Sequence, residues 1–439
     1  MSIIVNHNPD ILSQYTAWVA KNKMNPDVKT PEPIYLRKGN LLHLPFAKGM
    51  TNVFGNGLVN SRGVQIVHPT SFSIQHATSD ETRRIKQDEM KTSIANHVDA
   101  TKSCIVACPP GFGKTRMTLD LLAQWHGHTR FASVIVTCRT VVKNQWLAAF
   151  KEFSPPPIVH ILKVSDTLDG IQADIVMASI QTLSKWPYSM SANLLIADEI
   201  HQLTSAKQSL GLLKISPQFL LGLSATPYRT DDLKCVIEWL FGSNKVAPAV
   251  NVTQKHFVYK INTGLRYELE FSTQGMKKTI NWSALMDRQA NDHTRTQYIV
   301  DLMDNPQFSH IQWLVVVKRN VHIDQFVGFC FTKNISVSSL GMGKNDYDPK
   351  ARVIVGTVGK VGTGFNEPSR TGLVIAADTL NYYPQLLGRI FRNPETRTVP
   401  IVLDIVDDLT VLQRHYATRA QDYIRQGGII TEISAQHSM

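Results

Sequence analysis

The stretch CIVACPPGFGKT combines residues that can bind the phosphates of a nucleotide. An apolar run ends at two prolines and a glycine-rich turn, and the following KTRMTLDLLAQW has the apolar spacing of a helix. In a phosphate-binding loop, glycines let backbone N–H groups approach the phosphates, and Gly111 and Gly113 supply them. Lys114 would reach the β- and γ-phosphates and Thr115 would bind Mg²⁺, although Cys108 stands where the full pattern has its first glycine.

A second group that could do chemistry follows the apolar run NLLIA, where Asp198 and Glu199 are consecutive. Such a strand delivers its last residues to the carboxyl edge of a parallel sheet, where α/β proteins bind ligands. A magnesium–nucleotide site needs one carboxylate to hold the metal and another to orient or deprotonate the attacking water, and we assign Asp198 and Glu199 these roles in that order. Taken alone, the pair is equally compatible with an acidic helix cap.

Two runs of short apolar segments can position these groups, and the segments are CIVAC, SVIVTC, DIVMAS, NLLIAD and FLLGLSAT, then QWLVVVK, ARVIVGTV, TGLVIAAD and TVPIVLDIV. Strands that are apolar on both faces indicate parallel sheets covered by helices, and hence an α/β fold. Between the runs, we interpret HFVYKINTGLRYELEF as an inter-domain connection and ALMDRQANDHTRTQYIVDLM as one helix leading into the second sheet. Two similar α/β halves predict a nucleotide held in the cleft between them.

The residues before about position 80 have a different character. ILSQYTAWVA has a short helical pattern, and the β-like pieces NLLHLPF and GLVNSRGVQIV are divided by glycine and asparagine. We therefore predict a small N-terminal accessory domain at 1–80, a first α/β domain at 81–245 and a second at 246–439.

The 439-residue chain is 43% hydrophobic and carries a formal net charge of +11, spread without a long basic block. This charge favours a polyanionic partner, with nucleic acid first. The five cysteines have no paired spacing, which argues against a disulfide framework or a zinc site. The longest apolar runs are too short to span a bilayer and the first ten residues do not resemble a signal peptide, so we expect an intracellular location, in the host cytoplasm if the chain is phage-encoded.

Several segments between residues 84 and 392 resemble the motifs of the superfamily 2 helicases and occur in the same order along the chain. CPPGFGKT resembles motif I, DEIH a DEAH-type motif II, LGLSATPYR motif III and QLLGRIFR motif VI. RRIKQDE resembles the element that recognises adenine, TCRTVVKNQW motif Ia, DIVMASIQTL a segment that contacts the nucleic-acid backbone, and VIVGTVGKVGTGFNEP motif V. The resemblance implies an α/β fold with two tandem RecA-like domains with parallel sheets, plus the small N-terminal β-rich (α+β) accessory domain.

The resemblance also implies a role for each matching residue. The catalytic set, in which the two arginines would stabilise charge during phosphoryl transfer, is Lys114, Asp198, Glu199, Arg389 and Arg392. The ATP-binding set is Arg84, Gln87, Pro110, Gly111, Gly113, Lys114, Thr115 and Gly364, and Mg²⁺ would be held by Thr115 and Asp198. Residues that would couple hydrolysis to movement are His201, Ser224, Thr226 and Gln385. Nucleic-acid contacts are implied for Arg139, Ser179, Gln181, Thr182 and Thr357. Lys86 and Asn366 depart from the usual residues of their motifs.

Short loops and the ATPYR continuation are most similar to compact bacteriophage helicases that migrate branches or remodel forks. This resemblance implies an ATP- and Mg²⁺-dependent DNA helicase, expected to be a monomer, that unwinds or branch-migrates forked DNA in recombination, repair or replication. The open alternatives are an RNA helicase, a duplex translocase subunit of a restriction or remodelling complex, and a regulatory module that binds ATP without hydrolysing it. Trp146 and Tyr228 could stack on bases, but packing is the commoner role of such aromatics.

Overall fold

A computed structural model of the chain describes residues 2–6, 9–22, 25–38, 41–51, 62–68, 72–74, 81–108, 112–126, 131–138, 140–225, 233–248, 254–274, 277–341, 346–362, 365, 367–379, 383–391 and 398–434. These residues fall into two compact units, Met1–Ala249 and Val250–Met439. Strands alternate with helices in both units. None of the helices in this described part is long and apolar enough to cross a membrane.

The first unit begins with short strands and continues as an alternating α/β chain. Its strands are β1 (Ser2–Asn6), β2 (Thr16–Asn22), β3 (Asn25–Pro33), β4 (Leu36–Lys38), β5 (Leu41–Pro45), β6 (Ser73–Ile74), β7 (Ser103–Ala107), β8 (Ser133–Thr137), β9 (Phe153–Ser154), β10 (Val159–Ile161), β11 (Ile175–Ser179), β12 (Met190–Asp198), β13 (Ile215–Ser224) and β14 (Lys245–Val246). Its α-helices are α1 (Phe46–Thr51), α2 (Glu81–Thr101), α3 (Lys114–His126), α4 (Thr140–Ala149), α5 (Ile180–Lys185), α6 (Ile200–Leu203), α7 (Ala206–Leu212) and α8 (Lys234–Phe241). Short 3₁₀ helices lie at Pro9–Tyr15, Phe150–Glu152 and Leu168–Gly170.

The main sheet of this unit is parallel and has, among the described residues, seven strands in the order β10-β11-β8-β12-β13-β7-β14. Its strands are rich in valine, isoleucine and leucine because residues of both faces are buried. The predicted α/β fold and RecA-like architecture are thereby confirmed for this unit. Since all strands run the same way, β7, β8, β11, β12 and β13 deliver their last residues to one carboxyl edge.

The N-terminal part is β-rich, as predicted, and it packs directly on the first α/β unit. β1, β5 and β4 form a small antiparallel sheet, and β2 and β3 form an antiparallel hairpin. Tyr15, Leu42 and Leu44 are buried in the same apolar cluster as Leu195 of β12 and Ile215 of β13. Each leucine buried in this way contributes about 1.5–3 kcal/mol. The helix predicted at ILSQYTAWVA is wrong, because this stretch is a 3₁₀ helix followed by β2.

The buried carboxylate of Asp174 binds residues 62–68 to this sheet through hydrogen bonds. Asp174, just before β11, is fully buried and accepts hydrogen bonds from the backbone N–H groups of Val67, His68 and Ile158 at 2.7–2.9 Å. Nδ1 of His68 lies 2.7 Å from Asp174 Oδ2. Burial raises the pKa of Asp174, but these hydrogen bonds outweigh burial, so the pKa lies below its usual value. The bonded form of Asp174 is therefore the carboxylate.

We expect His68→Ala to lower the free energy of unfolding by about 1.5–3 kcal/mol, because it removes a hydrogen bond to a buried charge. The control is His160→Ala, since His160 lies at the same 2.7 Å from Asp166, whose side chain is 19% exposed. That loss should be at most about 1 kcal/mol. Because the pKa of Asp174 is lowered in the folded state, its contribution should be present above the ordinary aspartate pKa of 3.8 and lost as the pH falls from there through the lowered pKa of the folded state. Thermal unfolding as a function of pH measures both effects, and equal losses in the two variants would contradict the prediction.

The second unit repeats the α/β pattern. Its strands are β15 (His256–Asn262), β16 (Phe271–Gln274), β17 (Lys277–Ile280), β18 (Trp313–Val317), β19 (Val337–Leu340), β20 (Val353–Thr357), β21 (Gly372–Ile375), β22 (Ile401–Val406) and β23 (Gly428–Ser434). Its α-helices are α9 (Trp282–Asn291), α10 (His293–Met303), α11 (Asn320–Thr332), α12 (Val358–Val361), α13 (Tyr383–Ile390) and α14 (Thr410–Arg425), and a 3₁₀ helix lies at Pro306–Phe308. In the part of the unit that is described, the main sheet has seven parallel strands in the order β19-β20-β18-β21-β22-β15-β23. This sheet confirms the second RecA-like domain.

Two interpretations of the sequence between the sheets are corrected. HFVYKIN is β15, an internal strand paired with β22 and β23, and not an inter-domain connection. Val258 and Ile261 are fully buried, which is why this alternating segment belongs to the core. The single predicted helix is two, because Asp292 leaves the helical conformation (φ −80°, ψ 99°) and its side chain accepts from the Arg295 backbone N–H at the start of α10.

Candidate active site

The segment predicted to bind phosphate lies between strand β7 and helix α3. Gly113 has a φ of 104°, a left-handed conformation that a side chain would disfavour, and α3 begins at the next residue, Lys114. Cys108, at the position of the missing first glycine, is fully buried in the apolar cluster beneath the loop. Burial raises the pKa of the Cys108 thiol to about 12, so the side chain behaves as a small neutral apolar group. Pro110 and Gly111 lie outside the described residues.

The first turn of α3 carries the two predicted phosphate and metal groups. Lys114 Nζ donates to the Cys108 carbonyl at 3.1 Å, which holds the amine over its own loop. Thr115 is the second residue of the helix and is partly exposed. The backbone N–H groups of a helix start have no partners within the helix, so this end favours a phosphate.

The predicted adenine-recognition residues lie on α2. The side chain of Gln87 is buried, and its Nε2 donates to the Phe112 carbonyl at 2.7 Å. Gln87 therefore holds the main chain at Phe112, near the end of the predicted phosphate-binding loop. Arg84 is more exposed and lies 3.7 Å from Glu81, one turn earlier on the same helix.

Asp198 is the last residue of β12 and is almost fully buried. Its Oδ2 accepts a hydrogen bond of 2.9 Å from the indole N–H of Trp146 on α4. Burial and the charge of Glu199 raise the pKa of Asp198 to about 6, whereas the Trp146 hydrogen bond and the charge of Lys114 act in the opposite direction. Asp198, Glu199 and Lys114 are thus close enough for their charges to interact.

Glu199 has an unusual backbone conformation. Its φ and ψ are both 57°, in the left-handed region that non-glycine residues rarely adopt, and it turns the chain from β12 into the short helix α6. Strained conformations of this kind occur often at functional sites. His201 Nδ1 lies 3.4 Å from Glu199 Oε2 and 2.9 Å from the hydroxyl of Ser224, which ends β13. The predicted coupling residues His201 and Ser224 are therefore in contact, while Thr226 lies outside the described residues.

Ser179, at the end of β11, caps α5 by accepting a hydrogen bond of 3.0 Å from the Thr182 backbone N–H. The Ser179 and Thr182 hydroxyls are 2.8 Å apart, and Gln181 Nε2 donates to the Cys138 carbonyl at 3.4 Å. These three predicted nucleic-acid contacts form one group at the carboxyl edge of the first sheet. The fourth, Arg139, lies outside the described residues.

Three further residues connect directly or indirectly to motif II, and the sequence did not single them out for this role. Trp146 was considered only as a packing or base-stacking residue, but it is 1% exposed and bonds to Asp198. The Cys138 thiol donates to Gln202 Oε1 at 3.1 Å, and Gln202 Nε2 lies 3.3 Å from His201 Nε2. The sequence offered one signal for this contact, the Trp146 indole on an otherwise apolar helix face. A buried indole N–H needs a hydrogen-bond acceptor, so such a tryptophan indicates a polar partner nearby.

In the second unit, the described motif V and VI residues belong to one local structure. Thr357 ends β20 and precedes α12. Arg389, on α13, is buried and donates to the carbonyls of Gly362, at 2.9 Å, and Phe365 in the loop that follows α12. Gln385 is also buried, one turn earlier on α13. Gly364 and Arg392 lie outside the described residues.

Comparison with known proteins finds helicases among the relatives of this chain. The family described as "Type III restriction enzyme, res subunit" matches residues 80–229. The chain is similar to "Putative helicase 055L" of Frog virus 3, with 34% identity over 78% of this chain and 77% of that protein. It is similar to "Putative helicase 161L" of Invertebrate iridescent virus 6, with 28% identity over 76% and 78% of the two chains. It also matches "Putative ATP-dependent RNA helicase L396" of Acanthamoeba polyphaga mimivirus, with 23% identity over 68% of this chain and 59% of that protein.

The relative from Frog virus 3 spans both α/β units at substantial identity, and each unit carries helicase motifs at its sheet edge. Motifs I, II and III lie in the first unit and the described parts of motifs V and VI in the second. The chain belongs to the superfamily 2 helicases, enzymes that use ATP to act on nucleic acid.

Proposed function

We propose that this protein is a DNA helicase that translocates on forked or branched DNA and unwinds or branch-migrates it. In this proposal residues 81–245 bind ATP, residues 246–439 complete the motor, and residues 1–80 help to engage the branched duplex. The role of the N-terminal part rests on its position before the motor and on its basic, β-rich sequence.

The observation that carries the proposal is the group of charged residues at the carboxyl edge of the first sheet. Lys114 begins α3, which follows β7. Asp198 ends β12, two strands away from β7, and Glu199 directly follows it. The charges of Lys114 and Glu199 both act on the pKa of Asp198. Phosphoryl transfer to water requires a cation on the phosphates, a carboxylate for the metal and a carboxylate for the water, and these residues supply that set.

The oxygen donors of this edge fit a magnesium ion. Mg²⁺ prefers hard oxygen ligands and usually keeps several waters, so the carboxylate of Asp198 and the hydroxyl of Thr115 are suitable. When bound, the ion neutralises negative charge on the phosphates. Lys114 then binds the phosphate oxygens, and Glu199 orients the attacking water and accepts its proton. Arg389 and Arg392 are assigned the remaining charge stabilisation from the motif VI sequence.

The choice of DNA rests on sequence, because motif II reads DEIH and motif III continues as ATPYR. Two findings favour other substrates, namely RNA and unbranched duplex DNA. Several relatives, among them the mimivirus protein, are named as RNA helicases, which favours RNA. The matched family description names a restriction enzyme subunit, which favours translocation on duplex DNA.

We expect ATP hydrolysis to be stimulated most by forked DNA when single-stranded DNA, duplex DNA, forked DNA and RNA of matched sequence are compared. Lys114→Ala supplies the blank, and release of a fluorescent strand from the fork measures unwinding. Stimulation by RNA alone would overturn the DNA assignment. Stimulation by duplex DNA without strand release would favour the translocase, and no stimulation by any of the four would overturn the proposed motor.

A further inference from the structure

Trp146, on α4 and at the end of the motif Ia segment, contacts Asp198 at the carboxyl edge of the first sheet. Its side chain is 1% exposed, so it cannot stack on a nucleic-acid base without unpacking the unit. Its only hydrogen-bond donor, the indole N–H, is directed at Asp198 Oδ2 over 2.9 Å. The indole N–H has a fixed direction, so its hydrogen bond restricts the rotation of the buried Asp198 carboxylate.

The segment that carries Trp146 also lies beside the predicted nucleic-acid contacts. Arg139, assigned to a nucleic-acid phosphate by sequence, directly precedes α4, and Gln181 donates to the carbonyl of Cys138. Cys138 in turn donates to Gln202, which lies 3.3 Å from His201. Trp146 therefore contacts motif II at Asp198, and Cys138 contacts Gln202, the residue directly after motif II. Cys138 also contacts the group of predicted nucleic-acid contacts through Gln181.

We propose that Trp146 is a positioning residue that fixes the orientation of the Asp198 carboxylate and transmits movement of α4, caused by bound nucleic acid, to the Mg²⁺–ATP site. The proposal rests on the proposed function, in which Asp198 holds the metal. Nucleic acid bound at the start of α4 shifts the helix, and the indole carries that shift to Asp198. Residues that orient a metal ligand through a hydrogen bond typically affect metal affinity or activity by about 10–100-fold.

The test compares Trp146→Phe with Trp186→Phe. Both remove one buried indole N–H from the first unit, because Trp186 is fully buried and donates to the Asp166 carbonyl at 2.8 Å. Trp186 has no assigned role at the ATP site. Where Trp146→Phe unfolds, 3-benzothienylalanine at position 146 keeps both rings and replaces only the N–H with sulfur.

Three measurements are made on the full chain: binding of a fluorescent ATP analogue with Mg²⁺ and with EDTA, affinity for forked DNA, and ATP hydrolysis with and without that DNA. In Trp146→Phe we expect Mg²⁺-dependent nucleotide binding to weaken by about 10-fold. DNA stimulation of hydrolysis should fall by about 5-fold or more. Metal-free nucleotide binding and DNA affinity should equal those of Trp186→Phe.

The outcomes separate this inference from the proposed function. If the wild type is stimulated by DNA and the two variants behave alike in all measurements, the role of Trp146 is overturned. If no nucleic acid stimulates the wild type, the proposed function and the transmission step both fail. Mg²⁺-dependent nucleotide binding then still decides whether Trp146 positions Asp198.

Discussion

Lys114→Ala should lower the rate of ATP hydrolysis by on the order of 10²–10³ or more, because it removes the cation that contacts the phosphates during transfer. The fold should be little affected, because Lys114 lies at the start of α3 and the substitution removes a hydrogen bond, of 3.1 Å to the Cys108 carbonyl, that is only partly buried. The measurement is steady-state hydrolysis at saturating ATP and forked DNA, together with the thermal unfolding midpoint.

Lys207→Ala is the matched control for this experiment. Lys207 is exposed on α7, so the same change there should leave hydrolysis unchanged. Hydrolysis by Lys114→Ala within two-fold of the wild type would remove the phosphate assignment. A large fall in both variants would point to a general charge effect on nucleic-acid binding, and measuring DNA affinity separates the two cases.

Glu199→Gln should retain ATP binding and lose hydrolysis by about 10²–10⁴-fold, because the amide keeps the size of the side chain but cannot accept the proton of the attacking water. The ATP-bound protein should then remain on DNA much longer than the wild type. Single-turnover hydrolysis and retention of labelled ATP on the protein–DNA complex measure the two effects.

The matched control here is Glu238→Gln, because Glu238 is an exposed residue of α8. It should leave hydrolysis and complex lifetime unchanged. Normal turnover in Glu199→Gln would mean that another group activates the water. Loss of ATP binding in this variant would instead show that the negative charge of Glu199 is needed for binding and not only for activation of the water.

Much of the α/β architecture could be predicted because buried parallel strands have a strong local signature. CIVAC, SVIVTC, QWLVVVK and VIVGTV all became strands of the two main sheets. The segment NLLIAD was also recognised, although β12 starts earlier, at Met190, because MSA pairs with β13 without being continuously apolar. Motif residues at strand ends, such as Asp198 and Ser224, followed directly from these strands.

Weakly patterned segments were predicted less well, since their structure depends on distant partners. HFVYKIN alternates like a surface strand, yet β15 is an internal strand of the main sheet, because β22 and β23 pair with it on both sides. Asp292 interrupts a helical pattern through its capping hydrogen bond, which apolar spacing does not reveal. In both cases tertiary or side-chain contacts outweighed periodicity.

The contact between Trp146 and Asp198 could not be predicted from local pattern, because 52 positions separate the two residues. Motif spacing predicts which residues face the nucleotide, but it does not predict which residues hold them in place. Asp198 is held by Trp146, which lies on the side of α4 that packs on the sheet. The position of α4 depends on apolar contacts with residues from several parts of the chain.

The shared core of the N-terminal part and the first sheet sets an order of events during synthesis. Leu42 and Leu44 leave the ribosome early, but their partners include Ile215 of β13, about 170 residues later. At typical translation rates this delay is on the order of 10–30 s. During that time an apolar strand pair has no partner surface, which favours association with chaperones or other chains. We therefore expect the yield of native protein to depend on chaperone supply and on the speed of translation through residues 45–215.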